Sequence, residues 1–161
     1  MFREHPFILI LIITMLLVAN ASLYKGIFTS RSAEAYVFAV EKREVTLLRM
    51  PSGAMILIDA GSDASILRAL GSTLPPWRRS LDLVILTSDK AAQAGGLPSV
   101  ESRYAVGPVL HAGTPGLPYG APLTFDGLSF AIIAPGVVAI SSGASSLLIS
   151  SSTPPGTYPL Q

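Results

Sequence analysis

The fold is decided by the stretch Leu81–Leu97, which reads LDLVILTSDKAAQAGGL. Its first part is apolar on both faces, as in a strand that is covered on both sides, and this pattern stops at Thr87. Order returns through two adjacent glycines, Gly95 and Gly96. An α/β fold presents a catalytic loop in this way, at the end of a strand. Yet no histidine lies between Thr87 and the glycines, so the loop has a catalytic position without an obvious reactive group.

The overall composition is that of one modest domain with few charges. The 161 residues are 50% hydrophobic and 13% charged, and the formal net charge is +1. A chain of this length buries a core without cross-links, and its charge balance indicates neither a nucleic-acid nor an acidic partner. The absence of cysteine excludes disulfides, thiolate nucleophiles and cysteine metal sites together.

Part of the apolar excess lies at the amino terminus. Residues 7–24 are almost wholly apolar, which is about the length that spans a bilayer. The competing interpretation is a signal peptide cleaved after Ala21, because Ala19–Ala21 has the small residues of a cleavage site. We favour an uncleaved anchor, since the apolar character continues to Tyr24. Either way the remainder is predicted outside the cytoplasm, as a single-pass protein of the cell membrane or as a secreted one.

Beyond this segment the sequence predicts an antiparallel meander. Alternating, β-favouring residues form three strands, Ala35–Glu41, Glu44–Met50 and Ala54–Ala60. The last two are joined by a turn at Pro51–Gly53, where proline fixes φ and glycine permits a positive φ.

Helices and buried strands alternate in the next part of the chain. A short helix is predicted to begin at Ser62 or Asp63 and to end at Gly71. Leu81–Thr87 is predicted as a buried strand. A second helix over residues 96–104 and a further strand over residues 105–110 follow.

The region after Gly113 is rich in glycine, proline and serine. A hairpin is predicted around Asp126-Gly127, followed by strands over residues 137–141 and 145–151. The last segment, residues 153–161, has no apolar periodicity, so we predict a disordered tail. The predicted domain boundaries are therefore 1–30, 31–152 and 153–161.

The order of these elements, with several local motifs, resembles the metallo-β-lactamase-like domain of ComEC-type competence proteins. It looks closest to small membrane-anchored bacterial members that carry one hydrophobic helix before that domain. The resemblance implies an α/β (α+β) class, as a partial metallo-β-lactamase-like αββα sandwich preceded by one transmembrane helix and truncated at its carboxyl end. The matching motifs are PSGAMILIDAG at Pro51–Gly61, SILRALG at Ser65–Gly71, PPWRRSLDLVILT at Pro75–Thr87, GGLPSV at Gly95–Val100 and RYAVGPVL at Arg103–Leu110.

The resemblance also identifies what the loop has lost. In such relatives the strand runs into T-H-x-H-x-D-H-x-G-G-L, which lies over this loop without a gap. The residues that match family positions are Asp59, Gly61, Thr87, Gly95 and Gly96. The four metal-binding positions fall on Ser88, Lys90, Ala92 and Gln93.

An aspartate-rich family segment, D-V-G-Q-G-D, likewise falls on Ala39–Glu44, which reads AVEKRE. Its glycines and its first aspartate are therefore absent. The later family segment that supplies a bridging aspartate, and the final histidine, have no counterpart either.

The residues at the metal positions are poor zinc ligands. Zinc hydrolases lower the pKa of a bound water with imidazole and carboxylate ligands, whereas an ammonium group repels a divalent cation and alanine offers nothing. We therefore predict no catalytic residue, no metal and no cofactor. The paired glycines are expected to permit a close approach of the loop to the strand ends.

Two other chemistries are conceivable in this loop. Ser88 and Lys90 have the spacing of a serine–lysine dyad, although a lysine on an exposed loop is usually solvated. Asp59, Asp63 and Asp89 would offer oxygen ligands to Mg²⁺ or Ca²⁺ if they met at the strand ends. We favour the simpler alternative, in which Asp59 accepts hydrogen bonds from loop amides and Asp63 caps the helix.

Two further residues are candidates with simpler explanations. His111 stands apart from His5, the only other histidine, and is predicted to be a surface or loop residue. Trp77 lies between two prolines and two arginines and is predicted to pack the connection rather than to stack on a base.

These observations predict a noncatalytic, membrane-anchored interaction or scaffold module, a pseudoenzyme of its superfamily, in the cell envelope or a DNA-uptake system. Its partners would be the lipid bilayer through residues 7–24 and another protein or a second copy. DNA is a partner by family resemblance alone. The alternative is a metal-dependent hydrolase with a remodelled site, and a product without selected activity is a third possibility.

Overall fold

The protein is described by a computed structural model. It defines the chain over residues 10–18, 32–41, 43–113, 116–142, 145–150 and 153–160.

The amino-terminal apolar segment contains a helix, α1, over residues 10–18. Every residue of α1 is exposed, including Leu11 at 69% and Met15 at 74%. Among the described residues, no helix is both long and apolar enough to cross a membrane. The rest of the predicted anchor, and the alternative cleavage site at Ala21, lie outside the described residues.

The first half of the domain alternates strands with helices, and the described second half contains strands. The elements of the first half are β1 Ala33–Val40, β2 Arg43–Arg49, β3 Met55–Ile58, α2 Ile66–Thr73, β4 Ser80–Leu81, β5 Leu83–Leu86, α3 Ala91–Ala94, α4 Leu97–Arg103, β6 Ala105–Val106 and β7 Val109–His111. Those of the second half are β8 Pro122–Phe125, β9 Leu128–Ala134, β10 Val137–Ser142, β11 Ser145–Ile149 and β12 Gly156–Leu160.

A six-stranded sheet in the order β12-β1-β2-β3-β5-β7 forms the centre of the domain. Strands β1, β2 and β3 are antiparallel neighbours, which confirms the predicted meander. Strands β3, β5 and β7 are parallel, so the chain must cross over between them, and α2 and α4 form these crossovers. β3 and β5 are buried on both faces, as their unbroken apolar sequences predict.

A four-stranded sheet in the order β11-β10-β9-β8 packs on one face of the six-stranded sheet. Phe130, Ile132 and Ile140 of this second sheet join Leu48 and Ile56 of the first in one buried cluster. The predicted hairpin at Asp126-Gly127 is confirmed, and both residues have the positive φ that such a turn requires.

Helices α2 and α4 cover the other face of the six-stranded sheet. Ile66, Leu70 and Val100 from the helices pack with Leu57 and Val84 from the strands. The described residues thus form a helix–sheet–sheet arrangement, which is a partial αββα sandwich as predicted. The outer face of the four-stranded sheet has no described helix on it.

Two predicted strands are each divided into two. Residues 81–87 form β4 and β5, separated by Asp82, whose carboxylate accepts hydrogen bonds from the Met55 backbone N–H at 2.8 Å and from Arg78 at 2.6 Å. Residues 105–110 similarly form β6 and β7, and β4 pairs with β6 in a separate small sheet. The apolar pattern did not reveal the first break, because it involves the Met55 N–H from another segment, and the second break falls at Gly107-Pro108.

The predicted disordered tail over residues 153–161 is wrong. Residues 156–160 form β12, which pairs antiparallel with β1 along the edge of the six-stranded sheet. Leu160 is buried and Tyr158 packs against the same cluster. The two side chains alternate with exposed residues, so the segment carries the period of a strand, but over too few residues to stand out.

The prediction that Trp77 packs the connection between α2 and β4 is also wrong. Its side chain is 78% exposed, whereas Leu74 at the start of the same connection is buried. The connection is therefore anchored by Leu74, and the indole ring faces solvent.

The paired glycines make the close approach that the sequence predicts. A β-carbon on Gly96 would clash with the Ala60 carbonyl oxygen, and one on Gly95 would clash with the Ser62 carbonyl oxygen. The Gly96 N–H also donates to the Gly61 carbonyl at 3.0 Å. The loop therefore lies directly against the segment after β3, and only glycine leaves room for it.

This contact predicts opposite effects of alanine at two glycines. Gly96→Ala should destabilise the protein by at least about 2 kcal/mol, because backbone must move to admit the methyl group. Gly71→Ala, in open space within α2, should instead stabilise it by about 0.5–1 kcal/mol. Urea unfolding of both full-length variants in mild detergent measures the difference. Equal free energies of unfolding for the two variants would contradict the close contact.

Candidate functional site

The candidate site lies at the carboxyl ends of β3 and β5, which are neighbouring parallel strands of the six-stranded sheet. Asp59 follows β3 with a φ of +60°, a left-handed conformation that is uncommon for any residue except glycine. Its N–H donates to the Ile85 carbonyl of the neighbouring strand at 2.8 Å. The conformation of Asp59 is thus fixed by its neighbours, and its carboxylate faces Thr87.

The Asp59 carboxylate is buried and bonded to Thr87. The Thr87 N–H donates to Asp59 Oδ1 at 2.8 Å. The Thr87 hydroxyl donates to the same carboxylate, at 2.8 Å from Oδ2 and 3.0 Å from Oδ1. This confirms the prediction that Asp59 accepts hydrogen bonds from a loop amide, and it uses both carboxylate oxygens.

Thr87 extends this network to the second sheet. Its hydroxyl oxygen accepts a hydrogen bond from the Gly136 N–H, at 2.7 Å, in the turn between β9 and β10. Its carbonyl oxygen accepts a hydrogen bond from the Tyr119 hydroxyl at 3.0 Å. Thr87 therefore joins β3, β5 and the four-stranded sheet at one point.

Burial makes the Asp59 carboxyl a weaker acid than that of an exposed aspartate. Loss of hydration raises the pKa of its carboxyl from 3.8 to about 6, although the Thr87 hydrogen bonds and the positive charge of Arg43 lower it. This rise in the pKa corresponds to about 3 kcal/mol of free energy that disfavours the charged form of Asp59.

A small cavity of about 20 Å³ lies beside the carboxylate. This volume is about that of a single water molecule. Ala92 and Gln93, which fall on two of the family's four metal-binding positions, line this cavity together with Asp59, Glu44 and Arg43. Gln93 Oε1 and Glu44 Oε2 are buried here without a hydrogen-bond partner, and burial raises the pKa of Glu44.

Ser88 and Lys90, which fall on the other two metal-binding positions, do not line this cavity. Ser88 is buried, and its hydroxyl oxygen accepts a hydrogen bond from the Lys90 backbone N–H at 3.3 Å. The Lys90 side chain is exposed at the start of α3. A serine–lysine dyad needs a desolvated lysine amine against the hydroxyl, and this arrangement does not provide one.

The three aspartates that would form a cation site each have a separate partner. Asp63 accepts hydrogen bonds from the backbone N–H and the hydroxyl of Ser65, which is itself the N-cap of α2, so the prediction that Asp63 caps this helix is wrong. Asp89 binds His111 Nδ1 at 2.6 Å, and both side chains are exposed, which confirms His111 as a surface residue. Across the described residues, no group of three histidine, cysteine, aspartate or glutamate side chains could hold a metal ion.

The metal that the family resemblance implies does not fit this corner. Of the four metal-binding positions, Lys90 carries a positive charge and Ala92 has no donor atom, and the cavity that Ala92 and Gln93 line has a volume of only about 20 Å³ and is also lined by Arg43. The remaining donors there are the Gln93 amide and Glu44, which are weaker zinc ligands than imidazole. The arrangement is instead one in which hydrogen bonds join the two sheets.

Sequence reasoning missed Arg43, Tyr119 and Gly136 as parts of the site. Arg43 falls on a glycine position of the family segment D-V-G-Q-G-D, so the substitution was visible but its position facing Asp59 was not. Tyr119 and Gly136 reach Thr87 from 32 and 49 residues away, and no local pattern predicts such contacts.

Of the comparisons with known proteins, the one with solved structures finds similar proteins. No protein-family model and no curated protein matches the sequence. A solved metallo-β-lactamase of Cronobacter sakazakii with an H-A-R-L-D-Q motif is similar at a TM-score of 0.53 and 17% identity, covering 72% of this chain and 55% of that one. A mutant of it with three substitutions to histidine gives a TM-score of 0.51 and 14% identity, covering 71% and 59%.

A diphosphatase of the PhnP family has a weaker similarity, with a TM-score of 0.45 and 13% identity over 73% of this chain and 60% of that one.

This chain spans little more than half the length of the two lactamase structures that it matches. At such identities the likeness concerns the fold alone, which is that of the metallo-β-lactamase superfamily. The comparisons do not single out the ComEC-type proteins.

The raised pKa of Asp59 predicts how stability depends on pH. The folded protein retains this proton up to about pH 6, whereas the unfolded chain loses it near pH 4, so protons favour the folded state. The Asp59 contribution is therefore most favourable below pH 4 and falls by up to about 3 kcal/mol as pH rises to 7.

Urea unfolding of the full-length protein between pH 4 and 7 measures this dependence. Asp59→Asn should flatten the decline, and Glu101→Gln, which changes an exposed carboxylate on α4, should leave it unchanged. An equally steep decline in the wild type and Asp59→Asn would show that Asp59 titrates as an ordinary aspartate.

Proposed function

We propose that this chain is a membrane-anchored, noncatalytic member of the metallo-β-lactamase superfamily that binds another protein or a second copy of itself. The observation that carries the proposal is the bonding of Asp59, the one carboxylate among the five residues that match family positions. Both its oxygens are occupied by Thr87, and Arg43 lines the adjoining cavity. A corner arranged in this way stabilises the fold and offers little to a hydrolytic metal.

The outer face of the four-stranded sheet supports an interaction role. A row of apolar residues crosses it, namely Pro122, Ala131, Ala139 and Leu148, each opposite the next. Leu148 is 60% exposed, and between residues 122 and 150 the sequence contains one charge, Asp126. Another surface can cover such a face without burying an unpaired charge.

The exposed helix α1 supports the anchor. The exposed fractions of its leucine, isoleucine, methionine and valine side chains lie between 49% and 74%. Such a helix gains stability from an apolar environment, and a bilayer provides one. We propose further that the anchor extends over residues 7–24 and that the domain lies outside the cytoplasm.

A role in DNA uptake or envelope assembly has weaker support. It rests on the resemblance to ComEC-type proteins, and the arginines of the domain are scattered through the sequence rather than clustered.

The second candidate is a hydrolase with a remodelled metal site. It is favoured by the H-A-R-L-D-Q motif of the Cronobacter lactamase. When that motif is laid over Ser88–Gln93, which reads SDKAAQ, both have a basic residue in the third position and glutamine in the sixth. The histidine and aspartate of that motif, however, correspond to Ser88 and Ala92, so two metal-binding groups are still missing here.

Metal analysis of the purified full-length protein separates the two candidates. The wild type should retain far less than one transition-metal ion per chain. A variant with Ser88→His, Lys90→His, Ala92→Asp and Gln93→His should retain clearly more zinc, because it regains imidazole and carboxylate ligands. Stoichiometric zinc in the wild type, with lactam or phosphodiester cleavage that Asp59→Asn abolishes, would establish the hydrolase instead.

Site-specific crosslinking tests the interaction face in cells. A photoreactive p-benzoylphenylalanine in place of Leu148 should give a discrete crosslinked band, because this exposed position at the end of the apolar row lies on the proposed interface. The same residue in place of Glu101, exposed on the helical side, is the control. The same band pattern from both positions would contradict an interface on the four-stranded sheet.

A further inference from the structure

The chain enters the domain at the end of the six-stranded sheet that lies opposite the candidate site. β1 begins at Ala33, and Glu34 pairs with Arg49 at the end of β2. Arg49 pairs in turn with Met55, the first residue of β3, whereas the candidate site lies at the carboxyl ends of β3 and β5. We call the end of the domain that contains Ala33 and Met55 the entry end.

The entry end carries the exposed tryptophan. Trp77 lines one groove together with Arg49 and Met55, which places it at this end. Its side chain is 78% exposed, and the neighbouring Pro76 and Arg79 are exposed as well. A tryptophan combines an apolar ring with an N–H donor, so it is favoured at the level of lipid headgroups, where both parts find suitable surroundings.

Two arginines at the entry end have no acidic partner. The Arg79 carbonyl accepts a hydrogen bond at 2.8 Å from the N–H of Ala105, which follows Arg103 by two residues. Arg79 and Arg103 are both exposed, and within the described part of the chain neither forms an ion pair with a carboxylate. Their guanidinium groups can therefore donate hydrogen bonds to lipid phosphate groups.

The acidic side chains near the entry end are paired or lie elsewhere. Glu34 and Asp82 each pair with a different arginine, at 4.0 Å and 2.6 Å. Asp126 belongs to the turn between β8 and β9, on the other side of the six-stranded sheet from the helices. Glu101 precedes Arg103 by two residues on α4, and residues with this spacing do not face each other on a helix. The helical side of the entry end therefore keeps a surplus of positive charge.

We propose that the entry end lies against the bilayer, with Trp77 at the level of the headgroups and Arg79 and Arg103 bound to lipid phosphate groups. This inference rests on the membrane anchor proposed above. If that anchor ends at residue 24, residues 25–32 connect it to β1, and a chain of this length reaches at most about 28 Å. The entry end is then held close to the bilayer, and the candidate site faces away from it.

Fluorescence of Trp77, the only tryptophan in the chain, tests the contact. The full-length protein is reconstituted into vesicles of phosphatidylcholine and phosphatidylglycerol. Bromine on the acyl chains close to the headgroups should quench Trp77 more strongly than bromine near the bilayer centre. Vesicles of phosphatidylcholine alone should give less quenching, because they lack the negative surface charge.

Flotation of the vesicles after an alkaline carbonate wash shows separately whether the anchor is inserted. Protein that floats with the vesicles while Trp77 is not quenched would overturn the contact and leave the anchor intact. Protein that does not float would overturn the anchor and this inference together.

Removal of the two arginines tests the role of charge. The double variant Arg79→Gln with Arg103→Gln should lower the ratio of quenched to unquenched Trp77 about fivefold for each arginine removed, which is the effect of one charge at an anionic surface. Arg68→Gln is the matched control, because Arg68 lines a groove with Glu41, which follows the opposite end of β1. An equal loss of quenching in the control would assign the effect to general charge and overturn the proposed contact.

A tryptophan at the opposite end of the domain tests the orientation. The variant Trp77→Phe with Lys90→Trp carries its single indole at the exposed start of α3, beside the candidate site, and this indole should not be quenched. Quenching of this indole as strong as that of Trp77 in the wild type would contradict the proposed orientation.

Discussion

The structure depends on the buried hydrogen bonds between Asp59 and Thr87. Asp59 follows β3, Thr87 follows β5, and the Thr87 hydroxyl oxygen accepts a further hydrogen bond from the Gly136 N–H in the turn between β9 and β10. One threonine therefore fixes the spacing of two parallel strands and the position of the sheet packed over them. The interaction requires Asp59 to adopt a left-handed backbone conformation. This conformation is unfavourable in free energy for a residue other than glycine, and it persists because the surrounding structure fixes it.

The same contacts explain how the loop after Thr87 is held. The Ala60 N–H donates to the Gln93 carbonyl at 2.7 Å, and Gly96 lies against the Ala60 carbonyl. The loop is thus tied to the segment after β3 by backbone hydrogen bonds and by close packing of glycine.

Much of this fold follows from local patterns in the sequence. Alternation predicted β1 and β2, the uniform apolar stretch predicted β5, and the adjacent glycines predicted the close contact with the strand ends. The break at Asp82 was not predicted, because it involves the Met55 N–H 27 residues away, and the edge strand β12 was not predicted, because its alternation covers too few residues. In the site, Asp59 and Thr87 were identified from motifs, whereas Arg43 lies near Asp59 through the pairing of β2 with β3 and Gly136 reaches Thr87 through the packing of the two sheets.

The central claim is that hydrogen bonds between Asp59 and Thr87 hold this corner together without a metal ion. A double-mutant cycle with Asp59→Asn and Thr87→Val, measured by urea unfolding of the full-length protein in excess chelator, tests it most directly. The account predicts a coupling free energy of about 1–3 kcal/mol between the two residues under these conditions. Additive effects of the two substitutions in chelator, with coupling that emerges only when zinc is added, would contradict it.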